Sequence, residues 1–230
     1  MPDISTSLPW ESVVQQLQNA KTDDIIDVKE YCLDSEMIGI SAEIETYAKT
    51  SFLQEKPLLL CVKDLMTRIY TDFSYDPSFT TTTTPLNDVL KHRRGVCQDF
   101  AHLAIACVRS QGLAAKYVSG YLETLPPPGK PRLVGADASH AWFSVYDPKL
   151  GWVEFDPTNN QLPEKQYIRV AYGRDYRDVT PLKGVLFGGG MHQLSVSVDV
   201  APMTEVEPKT TPIQSQNQNQ NQIQEQAQMQ

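Results

Sequence analysis

The sequence lacks the features that would place a protein in a membrane, in the secretory pathway or on nucleic acid. No stretch of its 230 residues approaches a run of about 18 apolar side chains, so no transmembrane helix is predicted. Residues 1–5 lack the basic and apolar regions of a signal peptide, which predicts a cytoplasmic protein. Because 28 acidic residues outnumber 20 Lys and Arg, phosphate binding is not expected to be the main function. We therefore expect no membrane partner and no nucleic-acid partner.

Cysteine is scarce, and its spacing excludes two common structural uses. The four cysteines are Cys32, Cys61, Cys97 and Cys107, and none forms a C-x-x-C pair. This spacing fits neither a zinc site nor the dense disulfide pattern of small secreted domains. The sequence also contains no EF-hand-like loop, and a chain of this length can bury a core without a structural metal. We predict no metal and no cofactor, and at least one cysteine is a candidate for a working thiol.

Composition divides the chain into three segments. Residues 1–50 are predicted to be an N-terminal helical segment with acidic breaks, and residues 51–203 to be the main domain. In residues 204–230, glutamine occupies every second position from Gln214 onward, and apolar side chains are almost absent. This Gln/Asn-rich tail is predicted to be disordered, although such tracts can also self-associate through stacked amides.

The apolar pattern predicts helices first and strands afterwards. Predicted helices cover residues 10–17, 25–32, 41–52 and 57–70. A short helix follows, with Thr84 as N-cap and Pro85 at its first position, and it is expected to end at Gly95. The next helix begins at Cys97 and ends near Gly112. Strand-like runs then occupy residues 115–122, 140–146, 152–156, 168–172 and 194–200. This order indicates an α+β fold, with helices packed on an antiparallel sheet.

One predicted hairpin places a histidine near an aspartate. His140 opens a strand, Asp156 closes the next one, and residues 147–151 form the turn between them. If Tyr146 faces Trp152, then His140 lies one diagonal step from Asp156 on the same face of the sheet. A loop shorter by one residue would reverse this parity. With the five-residue loop, an imidazole–carboxylate hydrogen bond is within reach.

Cys97 is the candidate nucleophile. In the first turn of a helix, the macrodipole and the free backbone N–H groups favour a thiolate. A lone cysteine is more often a buried structural residue, so this interpretation depends on His140 and Asp156. Together the three residues would form a Cys-His-Asp triad, in which His140 exchanges protons and Asp156 fixes its tautomer. The backbone N–H of Cys97 is a candidate oxyanion donor.

Three sequence blocks resemble the motifs of the bacterial transglutaminase-like family. They are GVCQDFAH at residues 95–102, DASHAW at 137–142 and GWVEFDPTNN at 151–160, and their order and spacing also match. Residues 175–190 are similar to the end of the family, and the resemblance extends from about residue 57 to residue 200. It implies a papain-like, transglutaminase-like core with its nucleophile at a helix N-terminus. The resemblance also implies that Cys97, His140 and Asp156 are the catalytic residues and that the site uses no metal.

The resemblance implies a thioester between Cys97 and the acyl part of an amide, in a peptide bond or a glutamine side chain. Water as acceptor makes such an enzyme a protease or amidase, and an amine makes it a transglutaminase. Prokaryotic members are mostly hydrolytic, so hydrolysis of a protein or peptide substrate is favoured. The alternatives are a catalytically inactive interaction module and transfer from a thioester donor, as in arylamine acetyltransferases. Family members usually carry a β-rich domain before the core, so this chain looks short at its N-terminus.

Other polar and aromatic residues receive structural interpretations. His102 is expected to be structural, and Asp99 to stabilise the first turn of its helix. The strand aromatics are expected to belong mainly to the core, namely Tyr117, Tyr121, Trp142 and Trp152. Residues 124–131 are predicted to be a stiff proline-rich loop, either beside the cleft or as a plain connection. Residues 91–96 contain no glutamine of the papain type, so the second oxyanion donor is unassigned.

Overall fold

The computed structural model describes residues 2–20, 22–123 and 139–181, together with Gly184, Gly188, Val198 and Val200. The chain up to Val200 belongs to one compact unit, and helices on both sides of residue 50 contribute to the same hydrophobic core. The predicted proline-rich loop at residues 124–131 and the predicted tail at residues 204–230 lie outside the described residues. The same holds for the predicted strand at 194–200, apart from its two described valines.

The described residues contain the helices that the apolar pattern predicts, with ends shifted by a few residues. They are α1 (Trp10–Asn19), α2 (Asp23–Glu30), α3 (Ala42–Lys49), α4 (Leu58–Asp72), α5 (Leu86–His92) and α6 (Cys97–Ser110). Short 3-10 helices lie at Ile4–Thr6 and Tyr176–Val179. Helix α3 begins after Ser41, whose hydroxyl oxygen accepts a hydrogen bond from the backbone of Ile44 at 3.3 Å.

Both ends of α5 differ from the prediction. Pro85 is itself the N-cap residue, so Thr84 lies outside the helix. At the other end the helix stops at His92, because Arg93 adopts the left-handed conformation with φ 56°. Gly95 was expected to provide this stop, but it lies two residues further on, in a strand. An arginine in this conformation is uncommon, and sequence spacing gives no sign of it.

A four-stranded antiparallel sheet forms the second layer. Its strands are β3 (Ala115–Leu122), β4 (Ser139–Asp147), β5 (Gly151–Phe155) and β6 (Tyr167–Gly173), in the spatial order β5-β4-β3-β6. Two short strands, β1 (Ser74–Tyr75) and β2 (Arg94–Gly95), pair in parallel just before α6. The predicted hairpin register is confirmed, since Tyr146 pairs with Trp152.

Helix α6 is the central element of the core. All of its residues from Asp99 to Arg109 are buried, between the sheet on one side and α3, α4 and α5 on the other. At its C-terminal end, the Arg109 guanidinium donates hydrogen bonds to the carbonyl oxygens of Ala115 and Arg174 at 2.9 and 2.7 Å. At its start, the Asp99 carboxylate accepts a hydrogen bond from the backbone N–H of Val96 at 2.8 Å. Asp99 therefore has the predicted helix-stabilising role, and both ends of α6 are fixed.

Gly120 permits an unusually close approach of β6 to β3. The register between these strands shifts at Ser119 and Gly120. A Cβ atom on Gly120 would lie 2.0 Å from the carbonyl oxygen of Ile168 and 2.7 Å from Cη2 of Trp142. Gly120 also pairs with His140 on its other side. A side chain at this position would therefore displace the part of the sheet that carries His140.

We predict that Gly120→Ala lowers the free energy of unfolding by about 1–3 kcal/mol, because the added methyl group overlaps backbone atoms of β6. Gly39→Ala is the matched control, since nothing lies within 4 Å of a Cβ atom there. The control should change stability by less than about 0.5 kcal/mol. Urea unfolding followed by circular dichroism measures both variants, and equal stability of Gly120→Ala and the parent would contradict this packing.

Candidate active site

The three residues of the predicted triad lie on neighbouring elements, and the structure brings all three together. Cys97 is the first residue of α6, His140 is the second residue of β4, and Asp156 directly follows β5. Nε2 of His140 lies 2.8 Å from Oδ2 of Asp156. The side chain of Asp156 is fully buried, and that of His140 is 9% exposed. The Cys97 thiol is half-buried, and it interacts with the His140 side chain closely enough to raise the pKa of the imidazole.

The hydrogen-bond pattern assigns a role to each ring nitrogen of His140. Because Nε2 is bonded to the Asp156 carboxylate, Nδ1 is the nitrogen available to the Cys97 thiol. A carboxylate at Nε2 keeps a proton on that nitrogen. Nδ1 can then accept the thiol proton and later donate it, which is what a general acid–base residue requires.

The electrostatics of the site favour a charged imidazolium. Burial alone would lower the pKa of His140, but hydrogen bonds and charges from Asp156 and Cys97 outweigh it and raise the pKa to about 9. Burial alone would likewise raise the pKa of Asp156. The hydrogen bond to His140 and the charge of His140 are the main interactions that instead hold this pKa below its usual range. At neutral pH, His140 is therefore mainly protonated beside an ionised carboxylate.

The Asp156 carboxylate is satisfied by several donors besides His140. Its Oδ2 accepts hydrogen bonds from the Tyr167 hydroxyl at 2.6 Å and from Nδ2 of Asn159 at 2.7 Å. Its Oδ1 accepts from the backbone N–H of Thr158 at 2.8 Å. Sequence reasoning missed Tyr167 and Asn159. Asn159 lies in the GWVEFDPTNN motif, three residues after the aspartate, and this spacing could have indicated that it contacts Asp156. No sequence feature indicated the same for Tyr167.

Aromatic side chains enclose the His140–Asp156 pair. The His140 ring lies 5.8 Å from the Trp142 ring and 6.0 Å from the Tyr167 ring, measured between centroids. Trp142 is fully buried, and its Nε1 donates a hydrogen bond to Glu154 at 3.0 Å. Trp142 thus belongs to the core, as predicted for the strand aromatics, and the enclosure keeps water away from the pair.

His102 and the other three thiols have different surroundings. The His102 ring is buried, its Nε2 accepts a hydrogen bond from the backbone N–H of Tyr176 at 3.1 Å, and burial lowers its pKa to about 4. Burial also raises the pKa of Cys32 and Cys61 to about 11, and that of Cys107 to about 12. His102 thus has structural contacts, as predicted, and these thiols remain protonated at neutral pH.

The described residues contain neither a metal-binding cluster nor a membrane-spanning helix. No group of three or more His, Cys, Asp or Glu side chains in this part of the chain is arranged to hold a metal ion. Within the same residues, no helix combines the length and the apolar character needed to cross a membrane.

Comparison with known proteins shows a match to one protein superfamily over part of the chain. Residues 46–157 match the family model of the transglutaminase-like superfamily. These residues are thus similar to a transglutaminase-like core. An uncharacterized protein of Mycobacterium tuberculosis is 51% identical over 178 residues, which cover 75% of this chain and 57% of that protein. The chain therefore spans little more than half the length of the mycobacterial relatives that it matches.

The chain is also similar to a transferase in sequence and to a candidate protease in structure. A protein-glutamine gamma-glutamyltransferase of Pseudomonas aeruginosa is 35% identical over 74 residues, which cover 32% of this chain and 11% of that protein. The solved structure of a candidate cysteine protease from Cytophaga hutchinsonii matches with a TM-score of 0.58 and 27% identity, over 82% of this chain and 63% of that one. The predicted fold class is confirmed: the transglutaminase-like core combines helices with an antiparallel sheet.

We predict that two histidines titrate on opposite sides of neutrality. His140 should remain protonated up to about pH 9, and His102 should remain neutral down to about pH 4, for the reasons given above. Long-range 1H–15N spectra of 15N-histidine-labelled protein measure both, and His140→Asn and His102→Gln assign the signals. In Asp156→Asn, the His140 midpoint should fall because the negative charge is lost. A His140 midpoint near 6.5 in the parent would contradict the described ion pair.

Proposed function

We propose that this protein is a cysteine-dependent hydrolase of amide bonds, with Cys97 as nucleophile, His140 as general acid and base, and Asp156 as its orienting partner. One observation carries the proposal: the thiol at the start of α6 interacts with an imidazole whose Nε2 lies 2.8 Å from a buried carboxylate. The match to the transglutaminase-like superfamily supports it, since this match includes all three residues.

In the proposed reaction, the sulfur of Cys97 attacks the amide carbonyl carbon, and the π electrons of the carbonyl move onto its oxygen. The C–N bond then breaks as Nδ1 of His140 gives its proton to the departing nitrogen, which leaves a thioester. Water attacks the thioester, and the neutral imidazole takes a proton from it. The C–S bond then breaks, and the sulfur leaves with the electron pair, which forms a carboxylic acid and restores the thiolate beside the imidazolium. Asp156 holds the ring and stabilises the imidazolium throughout.

We propose a peptide or a glutamine side chain as the amide, and water rather than an amine as the acceptor. The solved structure of the candidate cysteine protease is similar over 82% of this chain, and this likeness supports hydrolysis. A protein or peptide substrate, a cytoplasmic location, and the lack of nucleic-acid and membrane partners remain our predictions from the sequence.

We predict that Cys97 is the thiol that iodoacetamide alkylates fastest at pH 6, because it lies beside the His140 imidazolium. His140→Asn should slow this alkylation roughly a hundred-fold at pH 6 and much less at pH 9, where an ordinary thiol ionises by itself. Peptide mass spectrometry over a time course measures each site separately.

The other three cysteines are internal controls for this experiment. Cys32, Cys61 and Cys107 should react slowly at pH 6 in both proteins, since burial raises the pKa of each. If Cys97 shows the same pH dependence in the parent and in His140→Asn, no working pair exists. The protein would then be better described as an inactive interaction module with a transglutaminase-like fold.

A separate assay identifies the acceptor. Incubation with β-casein and a fluorescent cadaverine offers water and an amine to the same acyl-enzyme. We predict that new amino termini and glutamines converted to glutamate together exceed incorporated amine, and that Cys97→Ala, which lacks the nucleophile, abolishes all three products. Ammonia is not counted, because transfer to an amine releases it as well. Predominant amine incorporation would instead identify a transglutaminase.

A further inference from the structure

The proposed reaction places a negative charge on the carbonyl oxygen, and the backbone N–H of Cys97 is one donor for it. The first N–H groups of a helix have no partner within the helix, so this group is free to face the oxyanion. Removal of a single oxyanion donor slows acyl transfer strongly, and such sites generally combine two donors. A second donor therefore has to lie close to the start of α6.

Tyr75 is held against the segment that leads into α6. It ends β1 and pairs in parallel with Gly95 of β2. Its two neighbours in the chain hold it in place through backbone hydrogen bonds. The N–H of Ser74 donates to the carbonyl oxygen of Arg93, and the N–H of Asp76 donates to that of Gly95, both at 2.9 Å. The position of Tyr75 relative to the first turn of α6 is therefore fixed by main-chain contacts and does not depend on its side chain.

The side chain of Tyr75 lies over the first turn of α6 and remains accessible. Its ring packs edge-on against the ring of Phe100, one turn along from Cys97, at 6.5 Å between centroids. Phe100 is buried, whereas Tyr75 is 56% exposed. Within the described residues, no hydrogen bond occupies the Tyr75 hydroxyl. Burial, followed by the charges of Cys97 and Asp99, raises the pKa of Tyr75, so the phenol retains the proton that a donor needs.

Within the described part of the chain, Tyr117 is the other tyrosine whose pKa is raised by the charge of Cys97. Burial first, and then that charge, raise the pKa of Tyr117 as well. However, Tyr117 is only 2% exposed, and its ring packs against His102 and Tyr176 at 5.0 and 6.3 Å. A substrate carbonyl cannot reach its hydroxyl, whereas the side chain of Tyr75 is accessible.

We propose that the Tyr75 hydroxyl is the second oxyanion donor, and thus a further catalytic residue, for acyl substrates that react with Cys97. This inference rests on the proposed function. As the C–S bond forms, the electron pair of the carbonyl moves to oxygen, which accepts hydrogen bonds from the Cys97 N–H and the Tyr75 O–H. No proton leaves Tyr75, and the pair returns to the C=O bond when the leaving group departs.

Two reagents distinguish an oxyanion donor from a residue that only supports the thiol. p-Nitrophenyl acetate acylates Cys97 through a tetrahedral oxyanion and releases p-nitrophenolate. Iodoacetamide alkylates the same sulfur by displacement of iodide, without an oxyanion. In Tyr75→Phe, the acylation rate constant should fall roughly a hundred-fold, whereas the alkylation rate constant should stay within about two-fold of the parent. Tyr172→Phe, an equally exposed tyrosine on β6, should change neither.

Stopped-flow absorbance gives the acylation rate, mass spectrometry locates the thioester, and circular dichroism checks the fold of each variant. Equal acylation of Tyr75→Phe and the parent would overturn the role of Tyr75 and leave the proposed thioester chemistry intact. A parallel fall in acylation and alkylation would also overturn it, because Tyr75 would then act on the thiol. A parent protein whose Cys97 is not acylated would overturn the proposed function itself, and this inference with it.

Discussion

The antiparallel register of β4 and β5 is the constraint on which the candidate site depends. Tyr146 pairs with Trp152, and the same alignment brings His140 and the residue after β5, Asp156, to one end of the hairpin. Because side chains alternate between faces with period two, a slip of one residue would turn His140 away from the carboxylate. Helix α6 can supply a thiol, but without this register the thiol would have no ion-pair partner.

The hairpin turn that sets this register is itself tied to the N-terminal part of the chain. Asp147 is buried, and its Oδ1 accepts hydrogen bonds from the backbone N–H groups of Lys149 and Leu150 at 2.8 and 2.9 Å. Its Oδ2 accepts from the hydroxyl of Ser7 at 2.6 Å, and that hydroxyl oxygen accepts from the N–H of Leu59 at 3.2 Å. The hydroxyl of Ser7 therefore connects the hairpin turn to α4, and this connection stabilises the strand register that the turn sets.

Local patterns predicted the scaffold well, because alternation, helical spacing and turn residues act over short stretches of chain. Residues 115–122 form the strand expected of them, and α6 begins at Cys97 as its apolar stripe indicates. The end of α5 at Arg93 was not predictable, since its left-handed conformation depends on the surrounding fold. The placement of Tyr167 and Tyr75 beside the site depends on contacts between elements distant in sequence, for which one sequence contains no signal.

The hydrogen bonds that orient Asp156 also determine how the proposed reaction begins. An ionised carboxylate in a fully buried position is stable only if donors and an opposite charge surround it, and His140 is the cation in contact with it. Loss of the His140 proton would leave that buried anion with hydrogen-bond donors but without an opposite charge, which is why burial alone does not set the pKa of His140. The resting site therefore holds its proton on the imidazole. In the proposed reaction, the imidazolium proton is therefore available for the departing nitrogen.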